Sequence, residues 1–138
     1  MLRSIDAGAT WSDRFLETKE MLSGVGFADA LTAVAVGTNG LILRSEDAGA
    51  TWTVVPSGTS LPLRSVAFAD ARTGFIVGFY GVLLRTRDSG RSWEADESGT
   101  RTHLVDVMVT PAGLPIAVGW FDTILLRAAV AGPPGSDR

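Results

Sequence analysis

The sequence predicts an all-β chain, a β-propeller of four-stranded antiparallel blades with about three blades per chain, on three observations. Residues 22–62 and 63–103 align without a gap and are identical at 18 of 41 positions, which marks a structural repeat, and a period near 40 residues suits one blade. Each repeat holds short runs of β-branched and aromatic residues broken by Gly, Asp, Pro and Ser, the pattern of four strands, and no segment has a good helical pattern. A Ser/Thr-x-Asp-x-Gly-x-Thr/Ser-Trp string recurs three times at the same 41-residue interval, ending on Trp11, Trp52 and Trp93. A β-sandwich predicts neither the constant period nor the repeated tryptophan.

In chain order, the propeller region 1–131 begins with a partial blade at 1–21, which opens inside a third strand at 1–3 and supplies a fourth around 11–15. Whole blades follow at 22–62 and 63–103. A partial blade at 104–131 carries the first three strands, with one extra residue near 120–122, and residues 132–138 form a flexible Pro/Gly-rich tail. First strands are expected at 25–27, 65–68 and 106–109, second strands at 33–36, 74–77 and 115–118, and third strands at 41–44, 82–85 and 123–127. A fourth strand follows each repeated tryptophan. The second and third strands are apolar on both faces, as sheets sandwiched between neighbours must be.

Composition narrows the function classes. With 46% hydrophobic and 20% charged residues the chain has the makings of a folded core. A net charge of −3 and a single lysine, Lys19, give no basic surface for nucleic acid. The absence of cysteine removes disulfides, thiolate metal sites and cysteine nucleophiles together. No stretch approaches the roughly 18 to 20 apolar residues that span a bilayer, and the N-terminus lacks a signal peptide's apolar run. The compartment is left open, and no cofactor is expected.

The repeated string has a structural purpose. A tight turn between third and fourth strands needs a residue that tolerates positive φ, filled by Gly8, Gly49 and Gly90, and a short acceptor for the following amides, filled by Asp6, Asp47 and Asp88. Thr10, Thr51 and Ser92 add hydroxyls, and the tryptophans are expected to anchor the turn between sheets. Calcium would want about six to eight converging oxygens, whereas each turn offers one carboxylate, so no metal is expected.

These strings resemble the Asp-box, or bacterial neuraminidase repeat, of sialidases and many other propellers. With a third strand ending Leu83-Leu84-Arg85-Thr86 and second strands ending in Val-Gly, nearly the whole chain resembles the propeller family of photosystem II stability and assembly factors. The sialidase resemblance would imply a Tyr nucleophile activated by Glu, an Asp acid/base and an arginine triad. Tyr80 is the only tyrosine, Arg44, Arg85 and Arg127 are periodic framework positions, and Asp29 and Asp70 are periodic turn residues. His103, the only histidine, sits in a loop where a solvated role is expected. The chain is therefore expected not to be an enzyme, a glycosidase being the alternative.

Ligand specificity is expected where the repeat breaks down, on the loops joining second to third and fourth to first strands, which share one end of a propeller. The second-to-third loops read Thr38-Asn39-Gly40, Phe79-Tyr80-Gly81 and Trp120-Phe121-Asp122, so two blades carry paired aromatics that offer contact area at low entropic cost or pack against a neighbouring blade. Asn39, Phe79, Tyr80, Trp120, Phe121 and Asp122, with Arg64, Arg101 and His103 from the other loops, are the candidate ligand residues. The expected function is a non-catalytic scaffold for a protein partner, in the manner of an assembly factor. A saccharide-binding or degenerate sialidase-like propeller is the alternative, and a recently amplified propeller fragment without a specific ligand a further one. Three blades leave apolar faces and unpaired edges, so the chain is expected to close by self-association with strand exchange, as a six-bladed homodimer or a nine-bladed homotrimer.

Overall fold

In the computed structural model, which describes residues 1–13 and 18–126, runs of β-formers between turn residues become thirteen short strands. They are β1 (Leu2–Arg3), β2 (Ser12–Asp13), β3 (Leu22–Phe27), β4 (Ala33–Gly37), β5 (Ile42–Ser45), β6 (Thr53–Val55), β7 (Leu63–Phe68), β8 (Gly74–Gly78), β9 (Leu83–Thr86), β10 (Glu94–Asp96), β11 (Leu104–Val109), β12 (Pro115–Gly119) and β13 (Ile124–Leu126). Two 3-10 turns, Thr38–Gly40 and Phe79–Gly81, join second to third strands. The strands form antiparallel sheets in the orders β3-β4-β5-β6, β7-β8-β9-β10 and β11-β12-β13, here the first, second and third blades, plus a ribbon β1-β2. Among the described residues no helix is long and apolar enough to cross a membrane.

Pairing register follows the sequence period throughout. Val34 opposes Arg44, Phe75 opposes Arg85 and Ile116 opposes Leu126, each trio stepping by the same interval. This corrects two expectations. No extra residue enters near 120–122, and Leu126 rather than Arg127 holds the register position of Arg44 and Arg85. The first strands begin earlier than expected because each carries a register shift after its first residue, between Leu22 and Gly24, Leu63 and Ser65, and Leu104 and Asp106. The expected fourth-strand residues beyond Asp13, the residues from 127 to 131 and the tail 132–138 lie outside the described residues.

Burial explains why both faces of the second and third strands are apolar. Val34, Val36 and Ile42 of the first blade pack against Leu63, Val66, Ile76 and Trp93 of the second. One residue on, the opposite face of the second blade, Phe75 and Val77, packs against Leu104, Val107 and Ala117 of the third. Each such Val, Leu, Ile or Phe side chain removed from water stabilises by about 1.5–3 kcal/mol. The repeated tryptophans are buried unequally. Trp93 is 9% exposed against the first blade, but Trp11 is 62% exposed, so the expectation that all three pack between sheets fails at Trp11, on the ribbon's outward face.

Candidate functional site

The two ends of the blades are built differently. At one end the Asp-box turns repeat almost atom for atom. Asp6, Asp47 and Asp88 each accept from the amide of Thr10, Thr51 or Ser92 at 2.8–2.9 Å and from its hydroxyl at 2.5 Å. The hydroxyls of Ser4, Ser45 and Thr86 donate to those aspartates and accept the Gly8, Gly49 and Gly90 amides. Each tryptophan Nε1 donates to its own box glycine carbonyl at 3.1 Å. The turn also asks for a positive φ one residue earlier than expected, at Ala7, Ala48 and Ser89, where a side chain is strained.

These hydrogen bonds set the carboxylate chemistry. The Thr51 hydroxyl, then the Thr51 amide and the Ser45 hydroxyl, hold Asp47 down to about 2. At Asp88 partial burial is the largest influence and pushes upward, but the Ser92 hydroxyl and amide and the Thr86 hydroxyl together outweigh it, again to about 2. Asp29 and Asp70 are lowered chiefly by the amides of Leu31 and Arg72, each closing the turn between first and second strands. Such acceptors are held ionised and fully engaged, the condition of structural aspartates rather than of proton donors.

The arginines at this end act as clasps between neighbouring sheets, a role the sequence left unassigned. Arg3 Nε donates to the Ala48 carbonyl and Arg44 Nε to the Ser89 carbonyl, both at 2.9 Å. Arg44 also pairs with Glu46, which Arg91 approaches at 3.6 Å.

At the other end the loops are held in a common frame and then diverge. The amides of Thr38, Phe79 and Trp120 donate to the carbonyls of Met21, Pro62 and His103 at 2.9–3.0 Å. Gly37, Gly78 and Gly119 keep that approach open, because a Cβ there would strike the same carbonyls. On this frame the second and third blades assemble an aromatic cluster. The His103 ring stacks on Phe79 at 4.0 Å between centroids, and Tyr80 and Trp120 meet it edge-on, each at 4.5 Å. Trp120 also touches Phe79 and Phe121, while the Arg64 guanidinium lies 5.6 Å over the Phe79 ring. The Tyr80 amide donates to His103 Nδ1 at 2.9 Å, which leaves Nε2 as the protonated nitrogen of the neutral ring.

His103 is thus no solvated loop residue, as expected from sequence, but the half-buried centre that joins two blades. Of the candidate residues, Phe79, Tyr80, His103, Trp120, Phe121 and Arg64 come together. Asn39 does not; its side chain bonds Glu20 at 3.4 Å in the first blade. Arg101 is exposed beside Thr100, outside the ring contacts, and Asp122 is exposed at the edge of the cluster.

Two of these aromatics sit on strained backbone. Asn39, Tyr80 and Phe121 hold the same turn position at φ 56°, 59° and 56°. Asn tolerates this left-handed conformation, whereas bulky side chains rarely adopt it. Sequence reasoning missed Glu20, which also accepts from the Thr38 hydroxyl at 2.6 Å. Its signal was available, since Leu61 and Thr102 hold the corresponding positions in the next two repeats.

Comparisons with known proteins agree with this architecture. Residues 1–119 match the model of the family described as photosynthesis system II assembly factor YCF48. Among solved structures, one described as YCF48 bound to D1 peptide is similar with a TM-score of 0.69 at 24% identity, covering 79% of this chain and 37% of that one. YCF48 from Cyanidioschyzon merolae is similar with a TM-score of 0.75 at 20% identity, covering 91% and 42%. The chain therefore spans about two fifths of the length of these structures. No curated protein matches it.

Proposed function

The chain belongs to the photosynthesis system II assembly factor YCF48 family, and from that membership we propose that it is a non-catalytic propeller module that holds a protein partner on the end bearing Phe79, Tyr80, His103, Trp120 and Phe121. One observation carries this reading. Tyr80 and Phe121 keep large rings at left-handed positions, and both are exposed. Strain retained under an exposed aromatic points to a use for the ring outside the fold. The cluster supplies rigid, amphipathic contact area of the kind that anchors protein interfaces. The box aspartates serve the framework, and no nucleophile with a paired base accompanies His103 among the described contacts.

The same proposal extends to self-association. The outer faces of the first and third blades carry exposed Val25, Phe27, Met108, Ile124 and Leu126, and a second copy covering them gives a closed ring, six blades for two chains or nine for three.

Fluorescence titration with the D1 peptide as probe tests the binding face. The expected result is saturable binding that weakens at least tenfold in Trp120→Ala and Tyr80→Ala while the fold persists by circular dichroism. Absence of binding, or binding untouched by either substitution, overturns the proposal. Binding of sialic acid that is lost in Trp120→Ala would overturn it in favour of a saccharide site.

A further inference from the structure

The ribbon β1-β2 reproduces the turn and the contacts of the third and fourth strands of a blade over shorter strands. Arg3 clasps Ala48 as Arg44 clasps Ser89. The Ser12 hydroxyl donates to the Arg3 carbonyl as Thr53 does to that of Arg44, both at 3.3 Å. Yet the ribbon pairs with no first or second strand among the described residues, and the face it turns away from the first blade is bare. Leu2 is 65% exposed, whereas Leu43 and Leu84, at the same register position, are 4% and 3%.

The third blade has the reciprocal defect. Its strands β11, β12 and β13 keep the regular register, but β13 and the loop before it depart from the repeat in residue type. Leu126 takes the arginine position. Asp122 stands where Gly40 and Gly81 admit the carbonyls of Thr59 and Thr100, a space that a Cβ would close. The outward face of this blade leaves Met108 and Val118 exposed, while the rear of the first blade leaves Val25 60% exposed where Val66 and Val107 are 6%. These are the two halves of the interface that the chain already makes twice within itself, so the two surfaces are complementary to each other.

We propose that a second copy covers both, and that the exchanged unit is the whole ribbon β1-β2, which adds to β12 of the other copy in place of β13. A composite blade results, with β11 and β12 from one copy and β1 and β2 from the other. In the register of β4 with β5, where Ala35 opposes Leu43, Leu2 of one copy faces Ala117 of the other, and Leu2 and Trp11 gain the cover that Leu84 and Trp93 have. Exchange of β2 alone is disfavoured on two grounds. The box hydrogen bonds tie β2 to β1. Thr18, at the repeat position of Thr59 and Thr100, would also bring its carbonyl against the Cβ of Asp122. The inference rests on the self-association proposed above and names its contact.

Because the chain has no cysteine, single-cysteine chains report the pairing. Leu2→Cys and Ala117→Cys chains are mixed and oxidised, as are Asp13→Cys and Leu125→Cys chains, the pair that exchange of β2 alone would bring together; light scattering gives the wild-type mass, and circular dichroism checks each variant's fold. The expected result is an oligomeric mass, with a covalent dimer from the first mixture and none from either of its members alone. Oligomers that cross-link only in the second mixture, or in neither, overturn ribbon exchange and leave self-association standing. A single-chain mass overturns both, and assigns the faces to blades of another kind.

Discussion

Ser45 and Ser4 make the same hydrogen bonds in two copies of one turn, but Ser45 is buried at 1% exposure while Ser4 is not. Ser45→Ala leaves the buried Gly49 amide without its acceptor, so it is expected to cost about 1–3 kcal/mol in denaturant unfolding, and Ser4→Ala clearly less, because water replaces the lost group there. Equal effects would mean that burial is not what gives the turn its stability. The opposite sign is expected at Phe121. Its ring is exposed and its backbone left-handed, so Phe121→Asn, copying the first blade, should stabilise by about 1 kcal/mol while weakening peptide binding. A fall in melting temperature would show that the ring packs for the fold.

Acid stability belongs to the same scale. Asp47 and Asp88 titrate near 2 in the folded chain, below their ordinary value, so the unfolded chain binds more protons between about pH 4 and pH 2. Their stabilisation is complete above that window and lost as pH falls through it. Asp47→Asn is expected to flatten the unfolding free energy between pH 4 and 2, and an unchanged acid profile would count against the box network.

At the scale of elements, the blades were legible because period, turn chemistry and apolar patterning agree. Strand ends were less so. The shift after Leu22, Leu63 and Leu104 is set by how each first strand meets its neighbour, which no local propensity encodes. The extra residue expected near 120–122 came from matching Arg127 to Arg85 by residue type, whereas pairing geometry puts Leu126 there. The arginine clasp itself was invisible, since its acceptor is a backbone carbonyl 45 residues away. Arg44→Lys keeps the charge but loses the Nε donor, and is expected to destabilise by about 1.5–3 kcal/mol; a neutral result would reduce the clasp to an accident of proximity.

At the scale of the molecule, the chain has a uniform end and a divergent one. The uniform end carries three copies of one turn. The divergent end carries residues drawn from loops that the sequence marked by their failure to repeat, and that rule gathered six of its nine candidates into one cluster. It misplaced Asn39, Arg101 and Asp122 because divergence from a repeat says nothing about which loops lean together. The solvated role expected for His103 failed separately, because its position depends on a cross-blade hydrogen bond from the Tyr80 amide that only the folded arrangement creates.

The division of labour between the two ends is tested most directly by amide resonances of the nitrogen-15-labelled chain, recorded as the D1 peptide is added. The expected result is shifts confined to residues 63–64, 79–81, 101–103 and 120–122, with the box turns at 45–52 and 86–93 unmoved. Shifts centred on the box turns, or spread over the outer faces of the first and third blades, would contradict it.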